Sequence, residues 1–210
     1  MCGTFGRVAT RPYNTWTRTD QDFPTERYKA SMRFDPAQHH RRSIRLAGYD
    51  YSQCGAYFVT VCAANRECLF GDIADGEMHL NSYGLLVESS WVELRDTYPY
   101  VNLDAWVLMP NHLHGVVVIT DEAVDATKII MKRKPLGNLI GAFKTISTRR
   151  INELRGSSGT PVWQRNYYEH VIRSDAVLCR VRDYIQANPG NWSTDKENPV
   201  VDGANARRKL

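Results

Sequence analysis

Apolar residues along this chain fall into short blocks whose period switches between two and about 3.6. Gly55-Ala56-Tyr57-Phe58-Val59-Thr60-Val61-Cys62 is aromatic and β-branched at successive positions. That pattern predicts a strand buried on both faces, and so a central one. Leu69-Phe70-Gly71 and Met78-His79-Leu80 flank Asp75-Gly76, a pair suited to a tight hairpin, with His79 exposed. Asn81-Ser82 then offers an N-cap, and Tyr83, Leu86, Val87, Trp91 and Leu94 recur at helical spacing to about Asp96. Glu88, Glu93 and Asp96 give this helix an acidic outer face.

Leu103–Met109 reads as a second strand, Pro110-Asn111 as a turn, and His112–Ile119 as a third strand antiparallel to the second. A helix begins near Pro135 with the inner stripe Leu136, Leu139, Ile140, Phe143, Ile146 and Ile151, and ends at Gly156-Ser157-Ser158-Gly159. Val162–Arg165 and Tyr167–Ile172 together suggest a bent fourth strand. Ser174-Asp175 caps a last helix carrying Val177, Leu178, Val181 and Ile185, which stops at Asn188-Pro189. Strand, hairpin, helix, two strands, helix, strand and helix predict an α+β fold. The expected architecture is ferredoxin-like, or RNA-recognition-motif-like: an antiparallel sheet with helices on one face.

With 210 residues, one domain is the default, and 42% apolar residues supply a core. No apolar run approaches the ~20 residues that span a bilayer, and no signal-peptide core is visible, so neither membrane insertion nor secretion is expected. Five cysteines without a Cys-x-x-Cys pair argue against a disulfide framework or a thiolate zinc site and fit a reducing cytoplasm. Residues 1–40 lack a clean period and read as an extension, partly disordered. Residues 41–192 form the expected domain, and residues 193–210 a loose polar tail.

Net charge is only +4, but its distribution is uneven. Lys128, Lys132, Arg133, Lys134, Lys144, Arg149, Arg150 and Arg155 face a single acid, Glu153, over that stretch. Arg41, Arg42 and Arg45 form a second cluster, and Arg207, Arg208 and Lys209 a third. Separated basic clusters suit a phosphate backbone. Lys144, Arg149 and Arg150 are the favoured backbone contacts.

Candidate chemistry concentrates at His112 and His114. Side chains two apart on a strand share a face, so both imidazoles project together while Leu113 points into the core. Two imidazoles form a two-point clamp for a metal ion, whose further ligands come from elsewhere. Tyr184 and Asn188 lie one helical turn apart and share a face. His170 alternates with Tyr168 on its strand. Trp163, Tyr167 and Tyr168 suit either base stacking or core packing.

Three blocks stand in order: Trp106-Val107-Leu108-Met109-Pro110-Asn111-His112-Leu113-His114, Val162-Trp163-Gln164-Arg165-Asn166-Tyr167-Tyr168-Glu169-His170, and Asp183-Tyr184-Ile185-Gln186-Ala187-Asn188-Pro189. Together they resemble the REP-associated tyrosine transposases of the HUH single-tyrosine group, over about residues 41–192. The resemblance implies a metal-dependent single-stranded DNA endonuclease and strand transferase acting on hairpin or repeat DNA through a 5′-phosphotyrosine link. Carried over, Tyr184 matches the nucleophile, His112 and His114 the histidine ligands, and Asn188 the third ligand. Arg165, Tyr168 and His170 of the second block join Lys144, Arg149 and Arg150 as candidate DNA contacts. The implied cofactor is Mg²⁺ or Mn²⁺, the implied partner hairpin-forming single-stranded DNA, the implied state a monomer or homodimer. Such a protein would be cytoplasmic, and nucleoid-associated when bound to DNA.

Two other classes compete. A non-catalytic module would stack single-stranded nucleic acid on the sheet's aromatics, but it lacks an RNP consensus and leaves the histidine pair and Tyr184 idle. A zinc hydrolase that activates water lacks an obvious third histidine or carboxylate at ligand spacing.

Overall fold

The computed structural model describes residues 45–46, 48–121 and 132–199. The N-terminal extension, residues 122–131 of the basic stretch and residues 200–210 of the tail lie outside them. The elements are β1 (Gly55–Cys62), β2 (Gly71–Ala74), β3 (Glu77–Leu80), α1 (Ser82–Thr97), β4 (Val101–Met109), β5 (His112–Ile119), α2 (Leu136–Leu154), β6 (Tyr168–Ile172) and α3 (Asp175–Ala187). A 3₁₀ segment, Pro189–Thr194, follows α3.

The main sheet is antiparallel throughout, in the order β4-β5-β1-β6. With β1, α1, β4, β5, α2 and β6 taken in sequence, this is the ferredoxin-like α+β arrangement. β1 is central, as its two apolar faces required. The β2–β3 hairpin is a separate two-stranded sheet turning at Asp75 and Gly76, whose φ angles of 51° and 78° suit a primed turn. Asn81 caps α1, its side chain accepting from the backbone N–H groups of Tyr83 and Gly84.

The two faces of the sheet are covered differently. Tyr57, Val59 and Val61 of β1 and Leu113, Val117 and Ile119 of β5 pack with Val87, Trp91 and Leu94 of α1 and Leu139, Ile140 and Phe143 of α2. Fully burying side chains of this size stabilises by roughly 1.5–3 kcal/mol each. The alternate positions, Phe58, Thr60, His112 and His114, face the other way, where Phe58 and His114 meet Tyr184 of α3. α1 and α2 thus share one face, as expected of the helices, while α3 departs from that expectation and lies over the opposite face. An amphipathic helix sequence shows that a helix has an apolar side, not which face of a sheet receives it. α3 is pinned to β4 by a two-pronged ion pair, Arg182 Nε and Nη2 donating to Asp104 Oδ1 and Oδ2 at 2.7 and 2.6 Å.

Two expectations change. Val162–Arg165 is not strand: only Trp163 bridges, to Ala63. Trp163 is instead a core residue, packed by Phe70 and Phe143 and donating from Nε1 to Ser147 Oγ at 2.9 Å. Glu93 does not face solvent freely but receives both prongs of Arg150 across the α1–α2 contact, at 2.7 and 2.9 Å. Cys54, Cys62 and Cys68 are free thiols.

β5 carries one constraint beside the histidines. A Cβ on Gly115 would come within 2.6 Å of the Trp91 ring and 3.3 Å of the Trp106 Cβ. Trp91 is fully buried and has no room to yield. Gly115→Ala is expected to destabilise the fold by about 1–3 kcal/mol through overpacking. Thermal unfolding would check this, and an unchanged melting temperature would contradict it.

Candidate active site

β5 delivers both histidines to the α3 face. Its burial is complete from end to end, and His112 and His114 are 0% and 4% exposed. Their ring centroids are 4.5 Å apart. Each ring is held at Nδ1: His112 by Asn111 Oδ1 at 2.8 Å, His114 by Thr60 Oγ1 at 2.8 Å. Both Nε2 atoms are thereby turned to the interior of the cluster. Phe58 stacks on His114 at 5.5 Å.

α3 brings the remaining two candidates. Tyr184 Oη lies 3.2 Å from His114 Nε2, and its ring sits edge-on to Phe58. The ring keeps an exposed edge, the residue being 42% accessible, so one side of the phenol is open to solvent. Asn188, the C-cap of α3, is only 3% exposed and lies beside both His112 and the Tyr184 hydroxyl. Two polar atoms here are buried without a hydrogen-bond partner among the described residues, His112 Nε2 and Asn188 Oδ1. Buried polar atoms are nearly always paired, and each exception marks a site with an unmet need. Two neighbouring lone-pair donors are what a cation would satisfy. Among the described residues no three His, Cys, Asp or Glu side chains gather to hold an ion, so an amide would have to complete the set.

The electrostatics follow from burial. Desolvation is the largest influence on His112 and pushes its pKa down, against a smaller upward pull from Asp195 and Asn188. His114 is lowered well below its ordinary value by desolvation and then by His112. Both imidazoles are therefore neutral near pH 7, the form that ligates metal. Burial raises the Tyr184 phenol, while the Asn188 amide beside it works in the opposite direction. The hydroxyl is protonated at neutral pH.

Residues 192–198 after α3 are part of this site, so this part of the expected loose tail is held in place. The Asn111 amide donates to the Glu197 carbonyl at 2.6 Å, and Asn198, 7% exposed, donates to the Trp192 carbonyl at 2.9 Å. The Trp192 ring lies 6.1 Å from that of His112. The Pro110-Asn111 turn is buried. Thr60, Asn111, Trp192 and Asp195 thus belong to the site although sequence patterns did not single them out. Only the position of Asn111 directly before the histidine motif could have drawn notice.

The candidate DNA contacts divide. Tyr168 and His170 on β6 pair with Thr60 and Phe58, on the face of the histidine cluster. Arg149 and Arg165 are exposed. They line an open groove of about 410 Å³ on the α2 side with Thr145, Thr148, Gln164 and Lys144. Gln164 N–H donates to the Cys62 carbonyl, and Cys62 is the register partner of His112, so the groove adjoins the histidine end of the sheet. Lys144 is engaged in the fold. Its Nζ donates to the Gln164 and Asn166 carbonyls at 2.9 Å each, and burial lowers its pKa to about 8. Arg150 is occupied by Glu93 and Ser90. Among the described residues no helix is long and apolar enough to cross a membrane.

No protein-family model matches the chain. A Haemophilus influenzae protein described only as uncharacterized is 38% identical over 177 residues, covering 79% of this chain and 97% of that protein. The chain belongs to the same family as that protein. A second H. influenzae protein, named "Putative REP-associated tyrosine transposase", is 26% identical over 148 residues, covering 67% of this chain and 73% of the other. A solved REP-associated tyrosine transposase, bound to a REP hairpin, is 19% identical with a TM-score of 0.48, covering 71% of this chain and 73% of its own.

Neutral buried histidines make stability depend on pH. The unfolded chain binds protons below its ordinary histidine pKa of about 6.5, whereas the folded chain does not. Stability contributed by His112 and His114 is therefore present above about pH 6.5 and lost as the pH falls below it. In chelator, urea midpoints are expected to drop between pH 7 and pH 5, and to drop less in a His112→Gln variant. Equal drops in both proteins would contradict this assignment.

Proposed function

We propose that the chain is a relative of the REP-associated tyrosine transposases and that it cleaves and rejoins single-stranded DNA through Tyr184. One observation carries the reading. Tyr184 Oη, at 3.2 Å from His114 Nε2, shares a buried cluster with the unpartnered His112 Nε2 and Asn188 Oδ1. An ordinary helix tyrosine does not need such neighbours.

The chemistry assigned to each residue follows. Tyr184 Oη attacks a phosphorus in line with the leaving 3′-oxygen. The Oη–P bond forms as the P–O3′ bond breaks; the phenol gives up its proton, and the leaving oxygen takes one up to become a 3′-hydroxyl. The DNA 5′-phosphate stays on the protein, and the reverse attack by another 3′-hydroxyl completes strand transfer. A divalent cation, Mg²⁺ or Mn²⁺ by resemblance, would neutralise charge on the phosphoryl oxygens when held by His112, His114 and Asn188. The orphaned His112 and Asn188 atoms fit that role. Asn188 also favours the phenolate form of Tyr184 against the effect of burial.

The substrate is proposed as hairpin-forming repeat DNA, on the strength of the motif resemblance. Arg149 and Arg165 in the groove, with Tyr168 and His170 on β6, are the proposed strand contacts. Lys144 and Arg150 are better placed to support the fold than to bind DNA.

Incubating the protein with labelled single-stranded hairpins and Mn²⁺ is expected to leave label on protein after boiling in detergent. Chelator and Tyr184→Phe should each abolish the adduct, and His112→Ala should slow its formation on the order of a hundredfold or more, matching several kcal/mol of lost charge stabilisation. Cleavage without an adduct would instead indicate activated water. Tight binding without cleavage would indicate a non-catalytic module.

Arg149→Ala and Arg165→Ala should each weaken DNA binding and reduce the slope of log K against log salt by about one. Titrations at several salt concentrations read this directly. An unchanged slope in both variants would remove the groove from the DNA path.

A further inference from the structure

Asn111 makes contacts that a turn-forming asparagine does not. Its side chain is buried, the residue being 1% exposed. Nδ2 lies 3.0 Å from the Arg66 carbonyl oxygen and 2.6 Å from the Glu197 carbonyl oxygen, partners 45 and 86 residues away in sequence. Carbonyl oxygens only accept. The end of the amide that faces them must therefore be the NH₂ group, and the other end the acceptor oxygen. That oxygen sits 2.8 Å from His112 Nδ1. Only an N–H can satisfy it, so Nδ1 carries the proton and, in a neutral ring, Nε2 is left as a bare lone pair. Nε2 is the atom found buried without a partner, together with Asn188 Oδ1. His114 has no such constraint, because the Thr60 hydroxyl can either give or accept.

We propose that Asn111 is a positioning residue: it fixes His112 as the Nδ1–H tautomer and thereby presents the Nε2 lone pair to a divalent cation. The metal half of this inference rests on the proposed function; the tautomer half does not. The chain beyond α3 takes part, since the Glu197 carbonyl helps to hold the amide the right way round. Ligating histidines are commonly set in this manner by a partner on the other ring nitrogen, and loss of such a partner costs 10–100-fold in metal affinity.

The test is long-range ¹⁵N–¹H NMR of the full, metal-free chain labelled at histidine, with His112 assigned from its contact with Trp192 and from a His112→Gln variant. The wild-type protein is expected to show a protonated Nδ1 and an unprotonated Nε2 at His112. Asn111→Leu keeps the approximate size but removes the acceptor. It should mix the His112 tautomers, leave the His114 signals in place and weaken Mn²⁺ binding by about 10–100-fold. A proton on His112 Nε2 in the wild-type protein overturns the proposal. So does a folded Asn111→Leu protein with the same tautomer and the same Mn²⁺ affinity. Should the leucine variant not fold, the wild-type spectrum decides alone. Because the spectrum needs neither metal nor DNA, it stands or falls separately from the cleavage assay.

Discussion

β5 is buried along its whole length, and its two-residue alternation sorts every neighbouring group. Leu113 and Val117 go to the core under α1 and α2, while His112 and His114 go to the face that α3 covers. A slip of one residue in register would exchange the two sets, placing imidazoles among Trp91 and Phe143 and leaving leucine beside Tyr184. Such a slip is blocked on both edges, by β1 in continuous register from Gly55 to Cys62 and by β4 up to the turn. Gly115 tightens the same constraint, because the Trp91 ring occupies the space where a side chain would be.

Everything else at the site is arranged around that strand. α3 must lie close enough to bring Tyr184 Oη to His114, and the Arg182–Asp104 pair ties it to β4. The residues after α3 close the His112 side through Trp192 and the Asn111–Glu197 bond. Burial then sets the charge states: it keeps the imidazoles neutral and the phenol protonated. Under the proposed function, a site built this way would have its ligands ready but a nucleophile that still needs help to lose its proton. That combination suits chemistry in which phosphate and cation arrive together.

The periodic part of the fold was legible in the sequence because it rests on side-chain patterns. β1 was recognisable by apolar residues on both faces, the β2–β3 hairpin by Asp75-Gly76, and α1 by the Asn81 cap. The pairing of His112 with His114, and of Tyr184 with Asn188, follows from strand and helix periods alone. What brings the two pairs together is tertiary: no local pattern says that α3 crosses the far face of the sheet. Polar residues misled where their partners were distant. Lys144 and Arg150 read as free cations until two carbonyls and Glu93 are seen to occupy them. Residues 193–198 read as a loose tail because their anchors are tertiary, the Glu197 carbonyl on Asn111 and the Glu197 carboxylate on Arg66, which composition does not reveal. Val162–Arg165 has strand composition, yet Trp163 is drawn into the core between Phe70 and Phe143.

The most direct measurement is anomalous diffraction from crystals of the protein soaked in Mn²⁺. A single manganese peak bounded by His112 Nε2, His114 Nε2 and Asn188 Oδ1, with Tyr184 at its edge, is the predicted result. Absence of manganese from that cluster at saturating concentration, with His112 and Asn188 still unpartnered, would contradict a metal-dependent tyrosine centre.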